Sequence, residues 1–348
     1  MKAASKAFEA LVARSVEHAL ALCRIPSPTG FTKAAEAYVE SALAAAGFSP
    51  SRSAKGSVLC RLGGSGRPLV LAAHIDTLGA VVRALKDRGR LRYSKIGGYP
   101  DLNLVTETCV VHCRGGKSFT GTFQPVDASA HVNKKLGEAK LTDENLEILV
   151  DERAKDKAEL LELGLSPGDI VSIDARPVLT PSGFLKSRHL DDKASAGILL
   201  ALAEGLRSGE IRAGRELWLL FTTYEEVGHG GAVLPPGAED LVSVDMGAVG
   251  DDLGCDEYRV SICAKDSQGP CDWDLTTALV EAAKAAGCDY AVDVYPDYGA
   301  DADVALRAGY DLRHAILGPG VYASHGYERT HRDAMANTLA LLARFVAS

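Results

Sequence analysis

The sequence predicts an α/β protein that is interrupted by a β-rich insertion. Three observations lead to this prediction. Apolar strands alternate with helical patterns near both ends of the chain, short alternating segments fill the region between them, and glycine is plentiful at 35 of 348 residues. A chain of this length can build one large domain or two domains with full hydrophobic cores.

The segments at both ends of the chain carry the α/β pattern. Before residue 24, apolar residues recur at helical spacing, so we predict an amphipathic surface helix rather than a secretory signal. A second helical pattern covers Ala34 to Ala46, and Pro68 to Ile75 is apolar throughout, as expected of a buried strand. After residue 190 the alternation returns, with predicted helices at 193–206, 275–286 and 333–346 and predicted strands at 216–222, 241–245 and 311–317.

Residues 81–182 have a different character. Short segments such as VVRALKD, RLRYSKI and CVVHCRG are separated by Gly, Asp and Pro turns, which predicts a barrel-like or PDZ-like β-rich domain. Within it, the charged segment 140–164 is interpreted as a solvated helix. Because candidate functional residues lie on both flanks of the insertion, residues 1–80 and 183–348 are predicted to fold together as one discontinuous domain.

Charge and cysteine content narrow the classes of partner and compartment. The net charge of -8 and the absence of a basic run with interleaved aromatics argue against nucleic acid and anionic membranes. No apolar run approaches the roughly 20 residues that a membrane helix needs. The eight cysteines are scattered without a C-x-x-C pair, which favours free thiols in a reducing cytoplasm over disulfides or structural zinc.

Acidic and histidine residues follow several of the apolar runs. Open α/β sheets place their sites at the carboxyl ends of strands, so these residues are candidates for one common site. They are His74 and Asp76 in LVLAAHIDTLG, Asp191 and Asp192 in SRHLDDKASAG, Glu225 and Glu226 in LWLLFTTYEEVG, Asp245 in LVSVDMGA, and His325 in ASHGYERTH.

Each motif also has an ordinary structural interpretation. A buried His beside an Asp, an Asp that caps a helix, or a pair of solvated loop glutamates would explain them one at a time. Taken together, two imidazoles, a carboxylate able to bridge, two further carboxylates and a spare glutamate are the parts of a two-metal hydrolase.

Spacing suggests roles within this set. Residues i and i+2 of a strand point the same way, so the carboxylate of Asp76 can accept the second ring N–H of His74. We assign the bridging role to Asp191 and a capping or supporting role to Asp192. One glutamate of the Glu225–Glu226 pair can bind metal while the other takes a proton. His325 is favoured as the last ligand, and His331 competes with it.

These motifs resemble the M42 family of metallo-aminopeptidases, within the wider group of di-zinc exopeptidases. The resemblance covers nearly the whole chain, including AAHIDTLGAVV, HLDDKASAG, EEVGHGGA and VDMG, and the insertion segments KIGGYPDLNL and ELGLSPGDIVSIDARP. It implies a di-zinc exopeptidase-like α/β/α catalytic domain over 1–80 and 183–348. Residues 81–182 would form an inserted dimerisation and assembly domain.

The resemblance also implies an activity and cofactors. The expected reaction is removal of N-terminal residues from short peptides in the cytoplasm, through a water shared by two divalent cations, zinc or cobalt. The expected assembly is a homo-oligomer, from a dimer to a dodecamer. The implied roles are one cation on His74 and Asp245, the other on Glu226 and His325, Asp191 bridging them, Glu225 as general base, and Asp76 orienting His74.

Departures from the family pattern and other activities stay open at this point. Lys193 stands where many members have Arg, and Glu328 follows His325 by three residues instead of four. The SHGYERTH segment resembles a subgroup that accompanies synthesis of N-acetylglutaminylglutamine amide, which implies a small peptide-like substrate. The alternatives are a metal-dependent amide hydrolase acting on acylated amino acids or capped dipeptides, a metal-free glycoside hydrolase, and a binding protein without catalysis.

Overall fold

A computed structural model describes residues 5–348 of the chain. These residues divide into two compact units, one running to Asp76 and resuming at Arg176, the other comprising Thr77–Ala175. The α-helices are α1 Lys6–Cys23, α2 Lys33–Ala45, α3 Lys157–Leu163, α4 Leu190–Ser208, α5 Trp273–Ala286, α6 Asp301–Arg307 and α7 Arg332–Val346.

The strands of the first unit form a mixed sheet and a small three-stranded sheet, and those of the second unit form a closed barrel. The predicted fold class is therefore confirmed. The strands are β1 Ser51–Arg52, β2 Val58–Gly63, β3 Leu69–His74, β4 Gly79–Leu85, β5 Arg90–Ile96, β6 Thr108–His112, β7 Ser118–Pro125, β8 Leu146–Val150, β9 Ile170–Ile173, β10 Val178–Leu179, β11 Phe184–Ser187, β12 Leu217–Thr222, β13 Asp240–Val244, β14 Gly247–Ala248, β15 Val260–Lys265, β16 Tyr290–Val294, β17 Arg313–Val321 and β18 Glu328–His331.

The main sheet has the order β1-β2-β12-β3-β13-β17-β15-β16, and β14 pairs with β17. Strands β12, β3, β13 and β17 are neighbours that run parallel to one another. Their carboxyl ends consequently meet at one edge of the sheet, and this edge receives the predicted site residues.

Strand β3 lies inside this sheet and is buried at every position. Its side chains alternate between two faces. Val70 and Ala72 pack with Ala302 and Ala305 of α6, while α4 contacts the same strand and packs with α1 and α7. Burial on both faces explains why LVLAAH is apolar throughout rather than alternating.

The long helix α4 is packed closely against α1. A Cβ built on Gly197 would lie 2.5 Å from the carbonyl oxygen of Ser15 in α1, so only glycine permits this crossing distance. Helix α1 begins at a Ser5 side chain that accepts a hydrogen bond from the N–H of Phe8. The first four residues of the predicted N-terminal helix lie outside the described residues. Within residues 5–348, no helix has both the length and the apolar character needed to cross a membrane.

The second unit is a closed barrel of order β4-β5-β8-β7-β6-β9. Its core is apolar and includes Leu91, Tyr93, Phe123 and Ile148. The rings of Tyr93 and Phe123 meet edge-on with centroids 5.1 Å apart. The unit therefore folds around its own core, as an inserted domain must.

The expectation of a solvated helix over 140–164 is wrong for most of that segment. Leu146, Ile148 and Val150 are buried at a period of two in strand β8 of the barrel. Only Lys157–Leu163 is helical, and it begins at Asp156, whose side chain accepts two backbone N–H bonds. The frequent charges obscure a strand whose apolar alternation spans only five residues.

Candidate metal and catalytic site

The predicted site residues gather at the carboxyl edge of the main sheet. His74 is the last residue of β3, and Asp245 directly follows β13. Glu225 and Glu226 occupy a short 3₁₀ turn after β12. His325 lies in the loop that leaves β17. Parallel neighbouring strands that end at the same level bring these four segments together.

The core of the site is a group of three buried residues, His74, Asp191 and Asp245. One ligand atom from each lies within 4.8 Å of the others. His74 Nε2 is 2.9 Å from Asp191 Oδ1. An imidazole and two carboxylates at this separation form a donor set suited to a divalent cation.

Asp191 also faces a second group. Its Oδ2 lies 3.4 Å from His325 Nε2, and the same nitrogen lies 3.9 Å from Glu226 Oε2. Glu226 Oε1 is buried and has no hydrogen-bond partner. The two oxygens of Asp191 thus point toward two different histidines, which is the arrangement that a bridging carboxylate requires.

Glu225 lies beside the first group. Its Oε2 is 3.9 Å from His74 Nε2, and its backbone N–H donates to Asp76 Oδ1 at 3.2 Å. Gly231, further along the same loop, approaches α6 so closely that a Cβ would lie 2.0 Å from the carbonyl oxygen of Asp301. Glycine at position 231 therefore lets this loop pack against the start of α6.

Asp76 contacts His74 through a different atom than its spacing suggests. The carbonyl oxygen of Asp76 lies 3.0 Å from His74 Nδ1, whereas its carboxylate Oδ1 lies 3.7 Å away. The carboxylate instead accepts from the N–H of Glu225 and, at 2.6 Å, from the hydroxyl of Thr29. Asp76 thereby links the orientation of His74 to the position of Glu225.

Asp192 and Lys193 support the end of β3. Asp192 Oδ2 accepts from the backbone N–H of His74 at 3.2 Å. The ammonium of Lys193 is fully buried, donating to the hydroxyl of Ser27 at 2.7 Å and to the carbonyl oxygen of Ile75. These contacts fix the backbone on both sides of His74.

Glu328 is a residue to which the sequence assigned no role. Its two oxygens accept from the backbone N–H groups of Asp191 at 3.0 Å and His325 at 2.9 Å. His325 has a positive φ of 63°, and Glu328 braces this strained loop. The signal in the sequence is its position three residues after His325, at the start of the returning strand β18.

His331 is not part of the cluster. Its Nε2 lies 2.8 Å from the carbonyl oxygen of Ser182, and its Nδ1 accepts from the N–H of Asp333 at the start of α7. Of the two histidines that competed in the sequence, His325 is the one beside Asp191.

Burial and mutual repulsion set the electrostatics of the cluster. Burial, together with the charge of Asp191, raises the pKa of Asp245 to about 7 and that of Glu226 to about 8. Burial also raises the pKa of Glu225 well above its usual range. For Asp191, burial acts in the same direction, but hydrogen bonds from His325 and His74 outweigh it and lower the pKa. The cluster therefore has a deficit of positive charge.

Three further polar residues border the cluster. The hydroxyl of Thr222, at the end of β12, donates to the buried carboxylate of Asp301. Tyr298 donates from its hydroxyl to the carbonyl oxygen of Met246 at 2.8 Å, next to Asp245. The sequence assigned none of these residues a function.

Comparisons with known proteins agree with this geometry. Residues 56–341 match the family described as M42 glutamyl aminopeptidase. The chain is 41% identical over 340 residues to the Bacillus subtilis (strain 168) protein named "Putative aminopeptidase YhfE", covering 97% of this chain and 98% of that one.

Solved structures share the fold. A TET aminopeptidase from the marine sediment archaeon Thaumarchaeota archaeon SCGC AB-539-E09 superposes with a TM-score of 0.86 at 17% identity, covering 96% of each chain. The TET1 peptidase of Pyrococcus horikoshii, which can assemble into a tetrahedron or a large octahedral shell, gives a TM-score of 0.83 at 20% identity over 95% of this chain and 99% of that one. The family match over most of the sequence and the 41% identical relative show that this chain is a peptidase of the M42 glutamyl aminopeptidase family.

Proposed function

We propose that the protein is a metal-dependent aminopeptidase that removes N-terminal residues from short peptides. The observation that carries this proposal is the convergence of His74, Asp191 and Asp245 within 4.8 Å, with His325 and Glu226 on the other side of Asp191. The membership of a peptidase family makes peptide bonds the natural substrate for this cluster.

The residues of the cluster fit divalent cations. Asp245, Glu226 and Asp191 are buried beside one another, and Glu226 Oε1 has no donor to satisfy it. Buried carboxylates without partners are costly unless a cation compensates them. In the proposed assignment, His74 and Asp245 would hold one cation, Glu226 and His325 would hold the other, and Asp191 would be a ligand to both. When bound, the two cations, zinc or cobalt, supply Lewis-acid activation of water and of the peptide carbonyl.

Glu225 is the proposed general base. Its side chain lies beside His74, and its backbone N–H donates a hydrogen bond to the carboxylate of Asp76. In this role, Glu225 Oε2 takes a proton from the attacking water and delivers it to the nitrogen of the leaving amine. Asp76 is a positioning residue, since its carbonyl oxygen orients His74 while its carboxylate fixes the backbone of Glu225.

The surroundings suggest how a peptide is accepted. A cavity of about 430 Å³ adjoins the His325 loop, and it is lined by Lys186, Glu257, Tyr322, Ala323, Tyr327, Glu328 and Arg329. This space is adequate for part of a short peptide. A free substrate α-amine would bind near one of the cation positions and a nearby carboxylate, which would favour a substrate with a free amine over one with a blocked amine.

Assembly and compartment are part of the same proposal. The TET1 peptidase of Pyrococcus horikoshii assembles into closed shells, and we infer that this chain also forms a homo-oligomer, with the barrel unit serving dimerisation and assembly. All eight cysteines are free, which agrees with a reducing cytoplasm as the site of action.

The test compares two adjacent glutamates. The wild type, Glu225→Gln and Glu226→Gln are stripped with chelator, reloaded with zinc, cobalt or manganese, and assayed on free-amine and N-acetylated dipeptides and aminoacyl amides. We expect metal-dependent release from free-amine substrates by the wild type. Glu225→Gln should lose turnover by about 10²- to 10⁴-fold while retaining bound metal, whereas Glu226→Gln should lose metal as well.

Three outcomes would overturn parts of the proposal. Full activity of Glu225→Gln would remove the general-base assignment. Turnover confined to acetylated substrates would make the protein an amide hydrolase of the same metal type. Activity that survives chelation would exclude the cation cluster as the catalytic centre.

A further inference from the structure

Three polar side chains that the proposed reaction does not use lie around the turn that carries Glu225 and Glu226. Tyr224 directly precedes this turn, and His229 follows it. Lys55 belongs to the loop between β1 and β2, and β2 pairs with β12, the strand that leads into the turn. The order of the sheet therefore brings Lys55 beside a turn that is distant from it in the sequence.

The ammonium of Lys55 contacts both the backbone and the ring of His229. Its Nζ donates to the carbonyl oxygen of His229 at 2.5 Å and lies 3.1 Å from the ring nitrogen Nδ1. The same Nζ lies 5.2 Å from the centroid of the Tyr224 ring, which is within the range of a cation–π contact. The carbonyl oxygen of Lys55 accepts from the hydroxyl of Thr223 at 3.0 Å. Lys55 is therefore bonded to the chain on both sides of the turn.

The two ends of the turn are also joined directly. The rings of Tyr224 and His229 stack, with centroids 4.8 Å apart and 24° between their planes. The N–H of His229 donates to the carbonyl oxygen of Tyr224 at 3.1 Å, and the N–H of Gly228 donates to that of Glu225 at 2.7 Å. Lys55, Tyr224 and His229, which we name the clip, thus hold the loop closed around the two glutamates.

The clip lies at the surface rather than in the core. Lys55 and His229 are exposed, and Tyr224 is half-buried. Contacts between exposed polar groups contribute little to the free energy of unfolding. Contacts that restrict a reactive group can matter far more to the rate, because a misplacement of about 1 Å can cost about 100-fold. The position of the clip therefore favours a role in geometry over a role in stability.

We propose that Lys55, Tyr224 and His229 are positioning residues for Glu225. This inference rests on the proposed function, because the clip has this role only if Glu225 is the general base. The N–H of Glu225 donates to the carboxylate of Asp76 at 3.2 Å, and the clip fixes the other end of the turn. With both ends of a short turn fixed, the carboxylate of Glu225 has few other positions, so it stays where it can take a proton from water.

The experiment removes the clip in the presence and in the absence of the base. Lys55→Met removes the N–H donors but keeps a long side chain, and Tyr224→Leu removes the stacked ring. Each change is made in the wild type and in Glu225→Gln. The zinc-loaded proteins are assayed at saturating zinc on the free-amine dipeptide or aminoacyl amide that the wild type hydrolyses fastest. Lys284→Met is the matched control, because Lys284 is also exposed and pairs with Glu281 within α5.

We expect Lys55→Met and Tyr224→Leu each to lower kcat about tenfold while KM changes by about twofold or less. In the Glu225→Gln background the same changes should have no further effect, because the carboxylate that they position is already gone. Lys284→Met should have the kcat of the wild type. Losses that multiply in the double variants would show that the clip acts through something other than Glu225, and would overturn the proposal.

Hydrogen exchange gives a readout that does not depend on activity. In both chelated and zinc-loaded protein, peptides that span 224–231 should exchange faster in Lys55→Met than in the wild type or in Lys284→Met, because the bonded N–H groups of Gly228 and His229 are less restrained. Unchanged exchange would contradict the clip.

The kinetics also separate this inference from the proposed function. Full activity of Glu225→Gln alone would remove the general base, and the role of the clip with it. A large loss in Glu225→Gln together with wild-type kcat in Lys55→Met and Tyr224→Leu would refute the clip alone.

Discussion

The two ends of β13 each bury an aspartate, and the two carboxylates experience opposite environments. Asp240, at the start of the strand, is fully buried and bonded to Arg215 at 2.6 Å and to Arg313 at 2.8 Å. These arginines outweigh burial and lower its pKa. Asp245, just past the other end, is 6% exposed, faces other carboxylates, and has its pKa raised to about 7.

This difference separates structure from chemistry within one strand. A buried carboxylate with cationic partners in the chain stabilises the fold, provided the partners stay in place. A buried carboxylate without them destabilises the fold until a cation arrives from solution. Asp240 therefore stabilises the fold, and Asp245 is available to bind a ligand at the carboxyl edge of the sheet.

The largest expected effect comes from Asp245→Asn. If Asp245 holds a cation, the loss of several kcal/mol of transition-state stabilisation reduces kcat/KM by about a thousandfold. The free energy of unfolding of the chelated protein should not fall, because a neutral amide removes repulsion with Asp191. Steady-state kinetics and urea denaturation with chelator check both halves. A loss of stability similar to that of an Asp240 variant would contradict the claim that Asp245 does not stabilise the metal-free fold.

Asp240→Asn should have the converse effect, with near-normal kcat/KM and a lower free energy of unfolding. The loss of charge-assisted bonds to Arg215 and Arg313, and of the ion pair with Arg67 at 3.2 Å, is expected to cost about 2 kcal/mol. The control is Glu281→Gln, because the ion pair of Glu281 with Lys284 is exposed and shares no partner with Asp240. That variant should change stability by about 0.5 kcal/mol or less. Equal effects of the two substitutions would show that burial of Asp240 is unimportant.

Glu328→Gln tests a buried carboxylate that, unlike Asp240, has no arginine partner within residues 5–348 but accepts two backbone hydrogen bonds. Burial raises the pKa of Glu328 to about 8, although it accepts two backbone hydrogen bonds. Gln retains one acceptor oxygen, so the loop around His325 loses one of its two braces. We expect kcat to fall about tenfold, at the low end for residues that orient metal ligands, with a matching rise in the metal concentration needed for half-activity. An unchanged metal requirement would contradict this positioning role.

The smallest effect concerns acid. The folded pKa of Asp240 is depressed below its ordinary value of 3.8, so the unfolded chain binds a proton first as the pH falls. The stability that Asp240 contributes is present above about pH 4 and is lost as the pH drops through the folded pKa. Urea titrations of the wild type and Asp240→Asn should therefore differ at pH 7 and converge toward pH 3. A gap that persists at low pH would refute the linkage.

The sequence predicts the first unit well because its signals are local. Buried strands such as β3 and β12 are apolar throughout, and polar residues that end them are conspicuous. Parallel order then explains why His74, Glu225 and Asp245 converge, although the sequence does not contain the order itself. The helix prediction for 140–164 is wrong because the many charged residues obscure the short strand β8, which forms by pairing with its neighbours in the barrel.

Other details depend on backbone geometry that no spacing rule supplies. The rule for residues i and i+2 places Asp76 beside His74 but does not say that its carbonyl oxygen is the nearer acceptor. The role of Glu328 depends on the positive φ of His325.

The chain enters the barrel unit directly after Asp76 and leaves it just before Arg176. Every residue of the proposed catalytic cluster lies outside that interval. A chimaera that receives a different insertion at these two junctions would keep the complete set of reactive side chains in its coding sequence. Recombination at this pair of positions could thus exchange the barrel unit between relatives while the proposed catalytic residues are inherited intact.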